Sequence, residues 1–164
     1  MRILFVHVCD RFTPFATSIA ALAGALRGHG HQLLRHAISL ETAVDDAAQD
    51  VASYGADVVA GSFMSRDWPG LSRVFSHVKR ETGCFLVVGG YHATFRAEEV
   101  AGCPGVDAIC VGEGERPFPP LIATLARGDQ PRTGPGMWVR DGGTFVGCRP
   151  PTDVEPDIAT LPRC

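Results

Sequence analysis

No two cysteines in this chain stand close enough to form a C-x-x-C pair or a C-x-x-x-C-x-x-C triplet. A zinc or iron–sulfur site built from this chain alone is therefore not expected. The six cysteines read as reduced thiols of a cytoplasmic protein, with Cys84 and Cys110 as small apolar strand residues. Runs of Lys or Arg are absent and the formal net charge is −3, so no nucleic-acid partner is expected. No stretch approaches the roughly 18–20 apolar residues of a membrane span, so no membrane partner is expected either. The apolar run Ile3–Val8 is too short for a signal sequence. The segment Cys9–Thr17 holds no glycine, which rules out a P-loop or a G-x-G-x-x-G turn after the first strand. Internal repeats and low-complexity tracts are missing as well.

What is present suits a single globular domain: 164 residues, 45% of them hydrophobic and 20% charged. Short apolar runs rich in strand formers occur at Arg2–Val8, His31–Ile38, Asp57–Ser62, Cys84–Val88 and Asp107–Val111. Between them lie helical patterns over Ala16–Arg27, over Glu41–Tyr54, and around Leu71, Val74, Phe75 and Val78. Glu98–Ala101 is at most a short helix, and Phe118–Arg127 is a further one. Gly28, Gly55 and Gly83 stand where helices end. This alternation predicts an α/β fold, a doubly wound parallel five-stranded sheet of flavodoxin-like or Rossmann-like type, with strand order 2-1-3-4-5. Met137–Val146 reads as a C-terminal β-hairpin around Asp141-Gly142. The expected organisation is an α/β domain over 1–130, a hairpin extension over 131–148 and a linker over 149–164.

Ligands of open parallel sheets bind beyond the carboxyl ends of the strands. Those ends are the segments Cys9–Pro14, Ser62–Asp67, Gly89–Thr94 and Gly112–Arg116. Gly89-Gly90 lets backbone approach a bulky ligand without obstruction by Cβ. Gly112-Glu-Gly-Glu115 is a second such turn, and Ser62 adds a hydroxyl at the end of the third strand.

At these residues the chain resembles a known family. Gly89-Gly-Tyr-His-Ala-Thr94 followed by Val106-Asp-Ala-Ile-Cys-Val-Gly-Glu-Gly-Glu-Arg-Pro-Phe118 is similar to the N-terminal cobalamin-binding domain of radical S-adenosylmethionine (SAM) enzymes. Leu26-Arg-Gly-His-Gly-His31 and Gly55-Ala-Asp-Val-Val-Ala-Gly61 match further family patterns, and Val154–Pro162 resembles the linker into the radical SAM barrel. The resemblance implies a cobalamin-binding module that binds rather than catalyses. Its partner would be a C-terminal radical SAM domain carrying the [4Fe-4S] cluster and SAM, and the parent reaction a methyl transfer or a radical rearrangement. It further implies that Ser62, Phe63 and Met64 lie along the nucleotide tail of cobalamin, and that Gly89 and Gly90 let the tail into a slot. Tyr91, Gly112, Glu113 and Gly114 complete the implied binding set with Asp10, Arg11 and Phe12 of the first loop. Phe12 stands where the methionine-synthase type of domain carries its cobalt-binding histidine, so no protein histidine is expected on cobalt.

Plainer readings stand beside these. His92 is either a pocket residue, as the resemblance implies, or a loop histidine bonded to backbone. His7 reads as a satisfied core or rim histidine, and Glu115 as a cap of the following helix. Cys9 reads as an apolar cysteine, and Trp68 and Trp138 as packing residues. Ser62 lacks the Gly-x-Ser-x-Gly elbow of a hydrolase nucleophile. The alternative functions are a flavodoxin-like nucleotide or flavin binder and a receiver-type regulatory domain. The receiver needs an Asp ending the third strand and a Lys after the fifth, and neither is there.

Overall fold

Apolar β-formers recur in five short runs; each becomes a strand, and four of the five are buried between helical layers while the edge strand over 32–38 stays partly exposed. The computed structural model describes residues 1–9, 17–39 and 41–147. The parallel strands are β1 (Arg2–Val8), β2 (Gln32–Ile38), β3 (Val58–Ser62), β4 (Phe85–Gly89) and β5 (Ala108–Cys110). They stand side by side in the order β2-β1-β3-β4-β5, as the sequence pattern predicts. The helices α1 (Thr17–Ala25), α2 (Val44–Ser53) and α3 (Trp68–Thr82) make the long crossovers between parallel strands, and α6 (Phe118–Ala126) follows β5.

Because side chains alternate along a strand, each strand feeds two cores. Leu4, Val6, Val59, Leu86 and Val88 point to one face, where Val51 of α2 and Leu71, Val74 and Phe75 of α3 meet them. Ile3, Phe5, Ala60 and Val87 point to the other, under Ile19 of α1 and Phe118 and Ile122 of α6. Pro69 sits in the first turn of α3, and Gly83 closes that helix in the left-handed region at φ 65°.

The sheet has seven strands rather than five. The hairpin, β6 (Met137–Asp141) and β7 (Thr144–Val146), continues the sheet antiparallel to β5 instead of standing apart from it. Val139 faces Ala108 and Trp138 faces Ile109 across this seam. The physical reason is the outer edge of β5, which would otherwise present unpaired N–H and C=O groups. Arg140 fastens the seam: its guanidinium donates to the carbonyls of Val106 (2.8 Å), Cys103 (2.8 Å) and Ala101 (3.0 Å).

A second departure lies after β4. Gly89–Thr94, expected to be a strand-end loop, enters a short helix, α4 (Tyr91–Phe95), while α5 (Ala97–Ala101) is the short helix expected at Glu98–Ala101. Gly90, at φ 91°, turns the chain from strand into helix, and the Thr94 N–H closes on the Gly90 carbonyl at 3.0 Å. Single turns of this kind are too short to show helical periodicity.

Two aspartates of the family-like segments hold the opposite end of the sheet. Asp57 accepts the Arg2 N–H at 2.7 Å. Asp107 accepts Lys79 Nζ at 2.6 Å and the Leu86 N–H at 2.8 Å, tying α3, β4 and β5 together. Among the described residues no helix is long and apolar enough to cross a membrane. The expected linker over 149–164, with Cys148 and Cys164, lies outside the described residues.

Candidate functional site

Strand register builds the site in layers. His7 pairs with Ser62, and Ser62 with Gly89, so three residues of one face line up at the carboxyl ends of β1, β3 and β4. One layer deeper, Phe5, Ala60, Val87 and Ala108 form a parallel row. Side-chain size falls to a minimum at Ala60, Ser62 and Gly89. A recess opens there between the sheet and the helices α1 and α6.

The recess is the deep part of a groove of about 750 Å³ that runs over the strand ends. Ser62, Phe63 and Met64 border it from β3, and Gly89, Gly90 and Tyr91 from β4. Gly112, Glu113 and Gly114 border it from the segment after β5. The three segments singled out in the sequence therefore converge on one rim. Asp10, Arg11 and Phe12, expected to face the same space, lie outside the described residues.

His92 is not among the groove-lining residues. It is buried behind α4, with ring centroids 5.4 Å from Trp68 and 6.0 Å from Phe63. Its Nδ1 lies 3.1 Å from Ser65 Oγ, and its buried Nε2 has no hydrogen-bond partner among the described residues. Burial lowers its pKa, against the opposing pull of Glu99. The ring thus packs under the 62–67 segment and does not line the groove. Trp68, stacked on Phe63 at 5.1 Å, is a packing residue as expected.

His7 does reach the groove. Arg35 Nε donates to its Nε2 at 2.9 Å, which places the ring proton on Nδ1, 3.3 Å from the Val8 carbonyl. Burial, reinforced by the Arg35 charge, lowers its pKa. The ring is a neutral, satisfied rim histidine. Cys110 closes the row beyond Gly89, and burial pushes its thiol up to about 12 with help from Glu115 and Glu113. It is a neutral, apolar wall.

The glycines have steric reasons. A Cβ on Gly90 would lie 2.8 Å from the backbone N and O of Phe63 and 3.1 Å from Ser62 Oγ. Gly112 adopts φ 86°, so its turn also needs the left-handed region. Glu115 does not cap the last helix. That helix starts after Pro117 without a side-chain cap bond, and Glu115 borders the groove.

Sequence reasoning missed two residues. Ser18, on the first turn of α1, holds its hydroxyl 3.0 Å from that of Ser62 across the mouth of the recess. Thr94 ties the two glycine turns together: its hydroxyl donates to the Gly90 carbonyl at 2.9 Å and accepts the Gly112 N–H at 3.0 Å. Ser18 carries no motif signal, because its closeness to Ser62 exists only after the crossover is formed. Thr94 stands inside the quoted motif, yet its role depends on β4 and β5 being neighbours.

Electrostatically the groove is mildly acidic. Asp67, Glu113 and Glu115 border it, and among the described residues no Lys or Arg does. Asp67 is committed to the segment itself, accepting the Met64 N–H at 3.0 Å. Exposed Tyr91 and Phe95, one turn apart on α4, form an aromatic rim. No three His, Cys, Asp or Glu side chains converge as metal ligands among the described residues. Such a site suits a large ligand of low charge that is held by shape and backbone.

Comparison with known proteins identifies the family and the fold. Residues 5–122 match the family model described as the B12 binding domain. An uncharacterized methyltransferase of Pyrococcus horikoshii, PH0819, is 24% identical over 148 residues, which cover 88% of this chain and 32% of that protein. The radical SAM methyltransferase TsrM of Kitasatospora setae superposes with a TM-score of 0.75 at 16% identity, over 93% of this chain and 30% of that one. The cobalamin-dependent SAM radical enzyme OxsB superposes with a TM-score of 0.70 at 18% identity, over 93% of this chain and 22% of that one. The chain thus spans a third or less of the relatives it matches. The match to the family model takes in most of the strands that build the groove, and the chain belongs to the B12 binding domain family.

Proposed function

We propose that this chain is the cobalamin-holding module of a cytoplasmic radical SAM enzyme, which binds the cofactor for a catalytic domain that follows it. The observation that carries this reading is the single groove joining both glycine turns to a recess beside β3 and β4. Its residues fit the cofactor. Gly90 lets the turn after β4 pack directly on the Phe63 backbone, the inner recess carries no charged side chain, and hydroxyls stand at its mouth. The resemblance to radical SAM enzymes and the likeness to TsrM and OxsB support the identity of the partner domain.

In this reading Ser62 and Ser18 hold the nucleotide arm by their hydroxyls, while Ala60, Val87 and Gly89 leave room for it. Gly112, Glu113 and Gly114 border the ring, with Tyr91 and Phe95 as an aromatic wall. Bound cobalamin supplies a cobalt centre that carries a methyl group or exchanges electrons. The chain's own residues orient the ligand and keep water from its buried end. The [4Fe-4S] cluster and SAM belong to the partner domain in this proposal.

Binding is tested by mixing the purified chain with hydroxocobalamin and removing free ligand by gel filtration. Retained corrin absorbance near one equivalent, with no retention of FMN or NAD, is the expected result. Retention of FMN or NAD in its place would overturn the assignment.

A further inference from the structure

We propose that the recess selects among corrinoids by the base of their nucleotide arm, favouring an apolar benzimidazole over a purine. The inference rests on the cobalamin reading above and adds the class of corrinoid that the site accepts.

The argument is one of hydrogen-bond supply. The inner layer of the recess is Phe5, Ala60 and Val87 from the sheet, faced by Ile19, Leu22 and Phe118 from the helices. Their side chains carry no donor or acceptor. Strand backbone offers nothing either, since each of β1, β3 and β4 is paired on both sides. Cys110 adds a neutral thiol to the wall. The hydroxyls and the His7 ring occur one layer up, at the mouth, where exposed Glu113 and half-buried Glu115 also stand, and the hydroxyls and His7 are partly spoken for. His7 is bonded by Arg35, and Ser18 and Ser62 bond each other.

An arene with methyl substituents gains from such a lining. A purine loses, because its exocyclic amine and ring nitrogens would leave water and find no partner. A buried polar group left unpaired weakens binding by about 10- to 100-fold. The hydroxyls at the mouth do not offset this, since both kinds of corrinoid share the ribose and phosphate that would reach them.

The test is a binding titration of the full chain with cobalamin, with the adeninyl cobamide, and with cobinamide, which lacks the nucleotide arm. The expected order is cobalamin at least about tenfold tighter than the adeninyl form. Val87→Thr, nearly isosteric, puts a hydroxyl on the floor of the recess and should narrow that ratio, with thermal melting as the folding control. Equal affinity for cobalamin and the adeninyl form overturns the inference and leaves the corrinoid reading standing. Cobinamide binding as tightly as cobalamin also overturns it, because the arm then contributes nothing. Failure to bind any of the three takes down the corrinoid reading itself.

Discussion

The hydroxyl of Thr94 accepts the backbone N–H of Gly112 at 3.0 Å, and this bond joins the turn after β4 to the turn after β5. The same oxygen donates to Gly90 at 2.9 Å, so one side chain sets the spacing of both glycine turns. Thr94→Val keeps the shape and removes both bonds. It should cost about 1–2 kcal/mol in urea unfolding and weaken hydroxocobalamin binding, whereas Thr94→Ser should behave almost as the parent. A valine variant with unchanged binding would mean that the turns hold their positions without the bridge.

Gly90 and Gly30 separate steric from conformational cost. Both have positive φ, but a Cβ on Gly30 meets nothing within 4 Å, while one on Gly90 meets Phe63 backbone at 2.8 Å. Gly30→Ala should cost about 1 kcal/mol from the left-handed backbone alone. Gly90→Ala should cost distinctly more, of order 2–4 kcal/mol, and should reduce corrinoid retention. Comparison of the two melting curves checks this.

Asp107 belongs to a motif that suggests a site, yet it lies at the other end of the strands from the groove. Its carboxylate receives Lys79 and the Leu86 N–H. Asp107→Ala should lower stability by about 1–2 kcal/mol, because it leaves the Leu86 N–H without its acceptor and Lys79 with only the Cys84 carbonyl. Below the melting transition the variant should bind hydroxocobalamin as the parent does. Lost binding in a folded Asp107→Ala protein would contradict the structural role.

Much of this was legible in the sequence. Five apolar runs separated by glycine-terminated helices give the sheet and its strand order, since each strand needs cover on two faces. Glycines at Gly89, Gly90 and Gly112 mark the rim because tight backbone turns leave a compositional trace. Less legible was anything that depends on neighbours across the sheet. His92 shares the groove motif but turns into an aromatic cluster with Trp68 and Phe63. The hairpin joins β5 because of an open edge that a linear reading does not display. Ser18 finds Ser62 across 44 residues of chain.

Stability should also fall in mild acid. His7 and His92 have pKa values lowered chiefly by burial, so in the folded state they resist the proton that the unfolded chain accepts near pH 6.5. Their contribution is complete above about pH 6.5 and is lost as the pH drops toward their folded values. Urea midpoints at pH 7.5, 6.5 and 5.5 should decline over the lower interval. His92→Phe, which fits the aromatic cluster without a titrating group, should flatten that decline. An undiminished slope in the variant would place the effect elsewhere.

The groove is most directly tested by mapping backbone amides in ¹⁵N-labelled protein as hydroxocobalamin is added. Shifts should gather at Ser62, Phe63, Gly89, Gly90, Gly112 and Gly114 and spare α2 and the Asp57–Asp107 end of the sheet. Shifts centred on α2 and α3, with the glycine turns unmoved, would contradict the account.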